Sequence, residues 1–187
     1  MTNAIESWSW NGCEGKRTRV EVYSRGFRVA LFLNGRKLAE KKAGKACRTI
    51  FLIKWYPGKL TAAAFDETGK EISRTSLKSA GEDTRLTLFP ERETVTAEEL
   101  CYVRLRYTDS AGERKPLVRG EIRLSVSGGE LLGLGSGCPY NEKGFLSDHT
   151  DTYYGEALAI IRPKEAGKIE IYAESPYGSA RMMVPVL

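Results

Sequence analysis

Hydrophobic and polar residues alternate with a period of two along most of the chain, which is the pattern of β-strands that bury one face. Residues 17–23 show this alternation, and residues 27–33 repeat it after a short turn. Asn34-Gly35 follows directly, and this pair favours a tight hairpin because both residues tolerate a positive φ. We therefore predict that residues 36–40 pair back on residues 27–33.

Similar short segments follow, separated by turn signals about every eight to twelve residues, as in immunoglobulin-like β-sandwiches. Residues 49–54, 60–65 and 71–78 complete the first set of strands. The small, polar stretch 79–83 marks a domain boundary, and the alternation restarts after it. No segment has a helical period over a useful length. We predict an all-β chain of two tandem immunoglobulin-like β-sandwiches, residues 1–80 and residues 82–187.

A long loop interrupts the second predicted sandwich at residues 135–155, between the strand that ends near Leu134 and the strand that begins near Glu156. Loops of this length without a period of their own are usually functional or disordered. This loop contains His149, the only histidine of the chain, with Asp148 before it. We therefore expect ligand or partner contacts here first.

Aromatic residues are the main candidates for binding, because sugars present C–H faces that stack on exposed aromatic rings. The candidate carbohydrate or partner contacts are Asn141, Asp148, His149, Tyr153, Tyr154, Trp55 and Tyr56, with Tyr140 as a further stacking candidate. The alternative is that Trp and Tyr fill sandwich cores and domain junctions. For Trp8 and Trp10 we favour this alternative, and expect both to pack where a neighbouring domain docks.

The loop does not define a catalytic or metal site by its sequence. Carboxylates at Asp148, Asp151 and Glu156 do not fix the separation that glycoside hydrolysis requires. A serine near His149, such as Ser147, is no triad without positional evidence. The loop offers few oxygen ligands for calcium, and four widely spaced cysteines with one histidine disfavour zinc. We therefore predict no catalytic residue, no metal and no cofactor.

The net charge of +5 is unevenly distributed, which supports the division into two domains. Residues 1–80 carry 16 Lys and Arg against 7 Asp and Glu, whereas the remainder carries 13 against 17. The basic residues stand mostly singly on strand faces, so we expect a solvated surface and no nucleic-acid partner. No apolar run approaches the ~20 residues of a membrane span, and the N-terminus lacks the pattern of a signal peptide. A Cys13–Cys47 disulfide and free thiols both stay open.

Several runs of residues resemble domains of bacterial β-galactosidases of glycoside hydrolase family 2. The runs WSW at 8–10, VEVYS at 20–24, LFLNGRKL at 31–38, YPGKLTA at 56–62 and DETGKE at 66–71 are similar to the domain that follows the catalytic barrel. The runs LGLGSG at 132–137 and YYGEALA at 153–159 are similar to the final immunoglobulin-like domain of those enzymes.

The resemblance implies a non-catalytic, C-terminal accessory region of a longer enzyme of carbohydrate metabolism. Family members hydrolyse glycosides with two glutamates at the strand ends of the barrel, and no position here matches those motifs. The implied partners are the catalytic and N-terminal domains of the longer enzyme, with carbohydrate or a second copy as further ones, and no membrane. The compartment stays open, either cytoplasmic or exported with the enzyme. An independent carbohydrate-binding module and a bacterial surface-adhesion module remain alternatives.

Overall fold

The computed structural model describes residues 4–141 and 144–187 and divides into two compact units, Met1–Ser79 and Ala80–Leu187. Regular structure in the described ranges is β-strand, apart from one 3₁₀ turn at Lys45–Cys47. No helix in those ranges is long and apolar enough to cross a membrane. The prediction of an all-β chain built from immunoglobulin-like sandwiches is confirmed.

Unit 1 is a sandwich of a two-stranded and a four-stranded antiparallel sheet. Its strands are β1 Arg17–Tyr23, β2 Arg28–Leu33, β3 Arg36–Lys42, β4 Arg48–Lys54, β5 Lys59–Phe65 and β6 Glu71–Lys78. β1 pairs with β4, and the other four are arranged in the order β3-β2-β5-β6. The core between the sheets consists of Trp8, Val29, Leu31, Phe51, Trp55 and Leu60. This core therefore joins side chains from both sheets to a tryptophan that precedes β1.

The hairpin between β2 and β3 forms where the sequence predicts it. Asn34 and Gly35 have φ values of 50° and 81°, which is the left-handed backbone that a tight two-residue turn needs. Asn34 also ties the turn to β5, because its Oδ1 accepts a hydrogen bond from the Lys59 N–H at 2.8 Å. The pairing extends from Leu33 and Arg36 at the turn along both strands.

Unit 2 is a sandwich of two four-stranded antiparallel sheets. Its strands are β7 Arg85–Pro90, β8 Cys101–Thr108, β9 Glu121–Ser127, β10 Gly129–Gly135, β11 His149–Asp151, β12 Glu156–Pro163, β13 Gly167–Ser175 and β14 Gly178–Val186. One sheet has the order β10-β12-β8-β7 and the other the order β11-β9-β13-β14. Buried residues of both sheets form one continuous hydrophobic core, with Val103, Leu105 and Ile161 fully enclosed.

The beginning of unit 2 is held by two buried charged side chains, Asp109 and Lys115. The Asp109 carboxylate accepts hydrogen bonds from the backbone N–H groups of Gly81, Ala111 and Glu113, at 2.7 to 2.9 Å. The Lys115 ammonium donates to the carbonyl oxygens of residues 82 and 83, both at 2.8 Å. Together these two side chains fix residues 81–83, a segment without regular structure that leads into β7.

These contacts set the pKa of Asp109. Burial raises the pKa of this carboxyl, but hydrogen bonds from the backbone of Gly81, Glu113 and Ala111, and the charge of Lys115, outweigh that effect and lower it below the usual value. A lowered pKa in the folded state means that Asp109 stabilises the fold above its unfolded pKa of about 3.9. That stabilisation is lost as the pH falls through the lower, folded-state pKa.

We predict that Asp109→Asn lowers the free energy of unfolding at pH 7 by about 1–3 kcal/mol, because buried N–H donors lose a charged acceptor. Urea unfolding at pH 7 and at successively lower pH checks this. The difference in the free energy of unfolding between the unsubstituted protein and the variant should decrease below about pH 4. Asp83→Asn is the matched control, because Asp83 is an exposed carboxylate paired with Arg85. An equal effect of both substitutions would contradict a special role for Asp109.

Candidate functional site

The sequence predicts a loop without regular structure at residues 135–155, but the structure contains a short strand there. Residues His149–Asp151 form this strand, β11, which pairs antiparallel with β9. Three residues are too few to show a period in the sequence, so this strand could not be predicted. Before β11, the Leu134 N–H donates to the Phe145 carbonyl at 2.8 Å, so the loop returns along the end of β10.

The glycines at the end of β10 allow this return of the loop. A Cβ atom on Gly135 would lie 2.3 Å from Cδ1 of Phe145, so any larger residue would displace that ring. The register of β10 also shifts between Leu131 and Gly133. The glycines thus allow the irregular register of β10 and the close approach of the loop to it.

His149 is held at one ring nitrogen by its own neighbours in the loop. Its Nδ1 lies 2.8 Å from the Ser147 hydroxyl and 2.8 Å from the Asp148 carboxylate. In a catalytic triad the serine and the carboxylate contact opposite nitrogens of the ring, so that a proton can pass between them. Because both groups meet the same nitrogen, this arrangement orients the imidazole and does not form a triad.

Asp148 joins the loop to β9. Besides His149 it contacts Arg123, whose guanidinium lies 2.8 Å from the Asp148 carboxylate. The hydrogen bond with His149 lowers the pKa of Asp148, desolvation opposes this, and the charge of Arg123 adds to the lowering. The Asp148 carboxylate is therefore anionic and unsuited to donate a proton near neutral pH.

Tyr153 and Tyr154 lie at the other end of the loop, in a tight turn before β12. Tyr154 and Gly155 have φ values of 51° and 70°, between the hydrogen-bonded residues Tyr153 and Glu156, which defines a type I′ turn. The two tyrosine rings lie 4.5 Å apart between centroids, at 58°. Desolvation raises the pKa of Tyr153, and the neighbouring Tyr154 adds to this. Tyr153 is 38% exposed, so its ring is accessible from solvent.

The middle of the loop carries exposed apolar side chains. Tyr140 is 86% exposed, Phe145 58% and Leu146 92%. Asn141, a candidate contact, is half-buried and donates through its side-chain amide to the Gly144 carbonyl at 3.3 Å. Asn141 therefore supports the loop backbone, while the exposed side chains around it face solvent.

Trp55, a candidate sugar contact, and Trp8, a candidate docking residue, both belong to the core of unit 1. Trp55 is 1% exposed and Trp8 is 2% exposed, and their ring centroids lie 6.1 Å apart. The indole N–H of Trp55 donates to the Trp8 carbonyl at 3.2 Å. Neither ring has an accessible face, so Trp55 is not placed to stack on a sugar. Trp8 packs in the core, as the alternative interpretation expected, and its contact with a neighbouring domain stays a prediction. Trp10 is half-buried against the same core, and Tyr56 remains 47% exposed.

Glu156, the carboxylate that follows the loop, is held by three arginines. Its oxygens lie 2.5 Å from Arg106, 3.3 Å from Arg114 and 3.7 Å from Arg104. Within residues 4–141 and 144–187, no group of three His, Cys, Asp or Glu side chains could hold a metal ion. The four cysteines are free thiols, and of these Cys47 is exposed and Cys101 is buried.

Fold and loop together define a pair of immunoglobulin-like modules with exposed aromatic side chains. The chain belongs to the family described as glycoside hydrolase family 2 C-terminal domain 5, whose model matches residues 86–183. A second model, described as a domain of unknown function (DUF4982), matches residues 15–73. Each match falls within one of the two units.

Two glycosidases with similar sequences agree with this assignment to the family. The chain is 26% identical over 172 residues to the β-galactosidase BoGH2A of Bacteroides ovatus. The aligned region covers 89% of this chain and 20% of that protein. It is 24% identical over 176 residues to a β-glucuronidase of Formosa agariphila, and this alignment covers 89% of this chain and 18% of that protein.

A glycosyl hydrolase family 2 member from Bacteroides cellulosilyticus has a similar structure, with a TM-score of 0.86 and 27% identity, covering 98% of this chain and 24% of that one. The chain thus spans about a fifth to a quarter of the length of the relatives that it matches. The resemblance to the C-terminal immunoglobulin-like domains of this family is confirmed.

Sequence reasoning missed the strand residues that lie beside the loop. Arg123 of β9 is opposite His149 in the pairing of β9 with β11, although 25 residues separate Arg123 from Asp148. Alternation along β9 could have placed Arg123 on the outer face of its strand. Only the pairing with β11 brings it to the loop, and the sequence did not reveal that strand.

We predict that Gly155→Ala destabilises unit 2 more than Gly112→Ala does. Both glycines have positive φ, of 70° and 83°, so alanine adds strain of about 1–3 kcal/mol at each. At Gly155 the new Cβ would also lie 2.4 Å from the Lys115 carbonyl oxygen, whereas Gly112 has nothing within 4 Å. Thermal unfolding of both variants checks this, and equal melting temperatures would contradict the described packing of the turn.

Proposed function

We propose that this chain is a non-catalytic accessory region of a longer glycoside hydrolase family 2 glycosidase of the β-galactosidase type. The observation that carries the proposal is the match to a C-terminal domain family by a chain that covers only a fifth to a quarter of its relatives. The named relatives are glycosidases. In this proposal the catalytic glutamates lie in the part of the enzyme outside these 187 residues.

The loop between β10 and β12 is the proposed contact with the rest of that enzyme. Its middle carries three large apolar side chains with more than half of their surface in water, at Tyr140, Phe145 and Leu146. Exposed apolar groups of this kind commonly mark contact surfaces. The loop is tied to the end of β10 by the hydrogen bond between the Leu134 N–H and the Phe145 carbonyl, and at its C-terminal end by β11 and the type I′ turn. An anchored loop can present such side chains at a fixed position.

We expect the native polypeptide to be much larger than these residues alone. An immunoblot of the source cells with an antibody against residues 80–187 should show a band about four to five times 20.8 kDa, because the chain is 20–24% of the relatives' length. Preadsorbing the antibody with the purified chain provides the control. A native band at 20.8 kDa would contradict the accessory role.

We expect the loop to be protected in the longer polypeptide. Hydrogen exchange of residues 136–155 should be slower there than in the 187-residue chain, because a contact surface excludes water from the loop amides. Replacing Tyr140 and Leu146 by serine in the longer polypeptide should remove the difference. Leu117→Ser is the matched control, because Leu117 is 51% exposed and lies outside the loop. Equal exchange in both polypeptides would contradict the contact.

A further inference from the structure

The outward side of the sheet β11-β9-β13-β14, here called the outer face, brings residues from four strands together. Side chains alternate between the two sides of a strand, and Ile122, Leu124, Ile171, Ala173 and Val184 are buried in the core. The residues between them therefore point to the opposite side, away from the core. The outer face is distinct from the apolar middle of the loop.

The strand register arranges the outer face in three neighbouring rows. One row contains His149, Arg123 and Glu174, the next Ser125, Tyr172 and Arg181, and the third Ser127, Glu170 and Met183. Neighbouring strands lie about 4.8 Å apart, so the four strands span about 14 Å. A continuous surface of this width suits an extended ligand rather than a single small ion.

Tyr172 occupies the centre of the outer face in a fixed orientation. The Arg181 guanidinium packs over its ring, 4.9 Å from the centroid. Its hydroxyl donates to the Glu174 carboxylate at 2.7 Å. The half-buried ring is thus held from two sides, so little conformational freedom would be lost when a ligand contacts it.

A shallow groove of about 630 Å³ follows the outer face of β9, β13 and β14. Ser125, Glu170, Tyr172, Arg181 and Met183 contribute to its walls. Hydroxyl, carboxylate and guanidinium groups lie there beside the aromatic ring of Tyr172 and beside Met183, a residue that is 58% exposed. This combination of apolar surface and a few convergent polar groups is typical of small-molecule sites, and the volume lies in their usual range.

Charges on the outer face are paired within the face. Arg123 contacts Asp148 at 2.8 Å, and Lys168 contacts Glu170 at 2.5 Å. A strongly charged ligand would have to replace one of these pairs. A neutral ligand with many hydroxyl groups could instead form hydrogen bonds with these charged side chains while their ion pairs remain intact.

We propose that the outer face binds a neutral oligosaccharide, with Tyr172 and Met183 against its C–H surfaces and Ser125, Glu170 and Arg181 on its hydroxyl groups. The choice of a sugar among neutral polyhydroxyl ligands rests on the proposed role in a glycosidase. The groove is shallow and open, so we expect a dissociation constant on the order of 1 mM for one site.

Titration of the ¹⁵N-labelled 187-residue chain with β-linked galactotetraose tests the proposal by heteronuclear NMR. We expect shift changes at the amides of residues 123–127, 170–174 and 179–183. Tyr172→Ala should weaken binding about tenfold, which corresponds to ~1.4 kcal/mol, whereas Tyr172→Phe should retain it because the ring remains. Tyr102→Ala is the matched control, because Tyr102 is 36% exposed on β8 of the other sheet of unit 2. Circular dichroism of each variant checks its fold.

Three results would overturn the proposal. One is the absence of shift changes at millimolar sugar, and another is changes centred on Tyr153 and Tyr154, which would place sugar binding at the loop. The third is tighter binding of glucuronate than of galactotetraose, which would exclude a preference for neutral ligands. The titration tests sugar binding by the 187-residue chain alone. The accessory role is tested separately, by the size of the native polypeptide, so the two proposals can fail independently.

Discussion

Alternation of side chains across each strand is the constraint on which both units depend. In β8, Val103, Leu105 and Tyr107 are fully buried, whereas Arg104 and Arg106, which alternate with them, reach the Glu156 carboxylate on the outside. A slip of one residue in this strand would bury two guanidinium groups and expose the core. The pattern therefore specifies the register of the sheet and, through the register, which polar groups meet on its outer side.

Irregular segments obey a second constraint, because their backbone groups need partners that strands cannot supply. The entry to β7 shows this most clearly, since Asp109 and Lys115 take the place of a neighbouring strand for the backbone of residues 81–83. Within the described ranges, no buried side-chain nitrogen or oxygen atom lacks a hydrogen-bond partner. Charged groups are thus tolerated inside the unit where they complete backbone hydrogen bonding.

The sequence was sufficient to predict most strands, because each spans six to nine residues and shows several periods of alternation. Strand β11 was missed because three residues contain too little of that signal. The roles of single aromatic residues were also beyond the sequence: Trp55 and Tyr56 are neighbours, yet one is 1% and the other 47% exposed. Exposure depends on which side of a strand end faces the core, and composition does not encode that.

Strain at the end of the loop connects its structure to its proposed role. Tyr154 adopts a left-handed backbone, φ 51°, at a turn position where asparagine or glycine is usual, and such a conformation costs on the order of 1 kcal/mol. It persists because the surroundings hold it: Gly155 fits closely against the Lys115 carbonyl, and the Tyr153 ring packs on the Tyr154 ring. A loop that only linked two strands would tolerate asparagine here without that cost. The turn thus holds two tyrosine rings at the surface of unit 2 rather than in its core, which is the arrangement that the proposed contact of the loop would need.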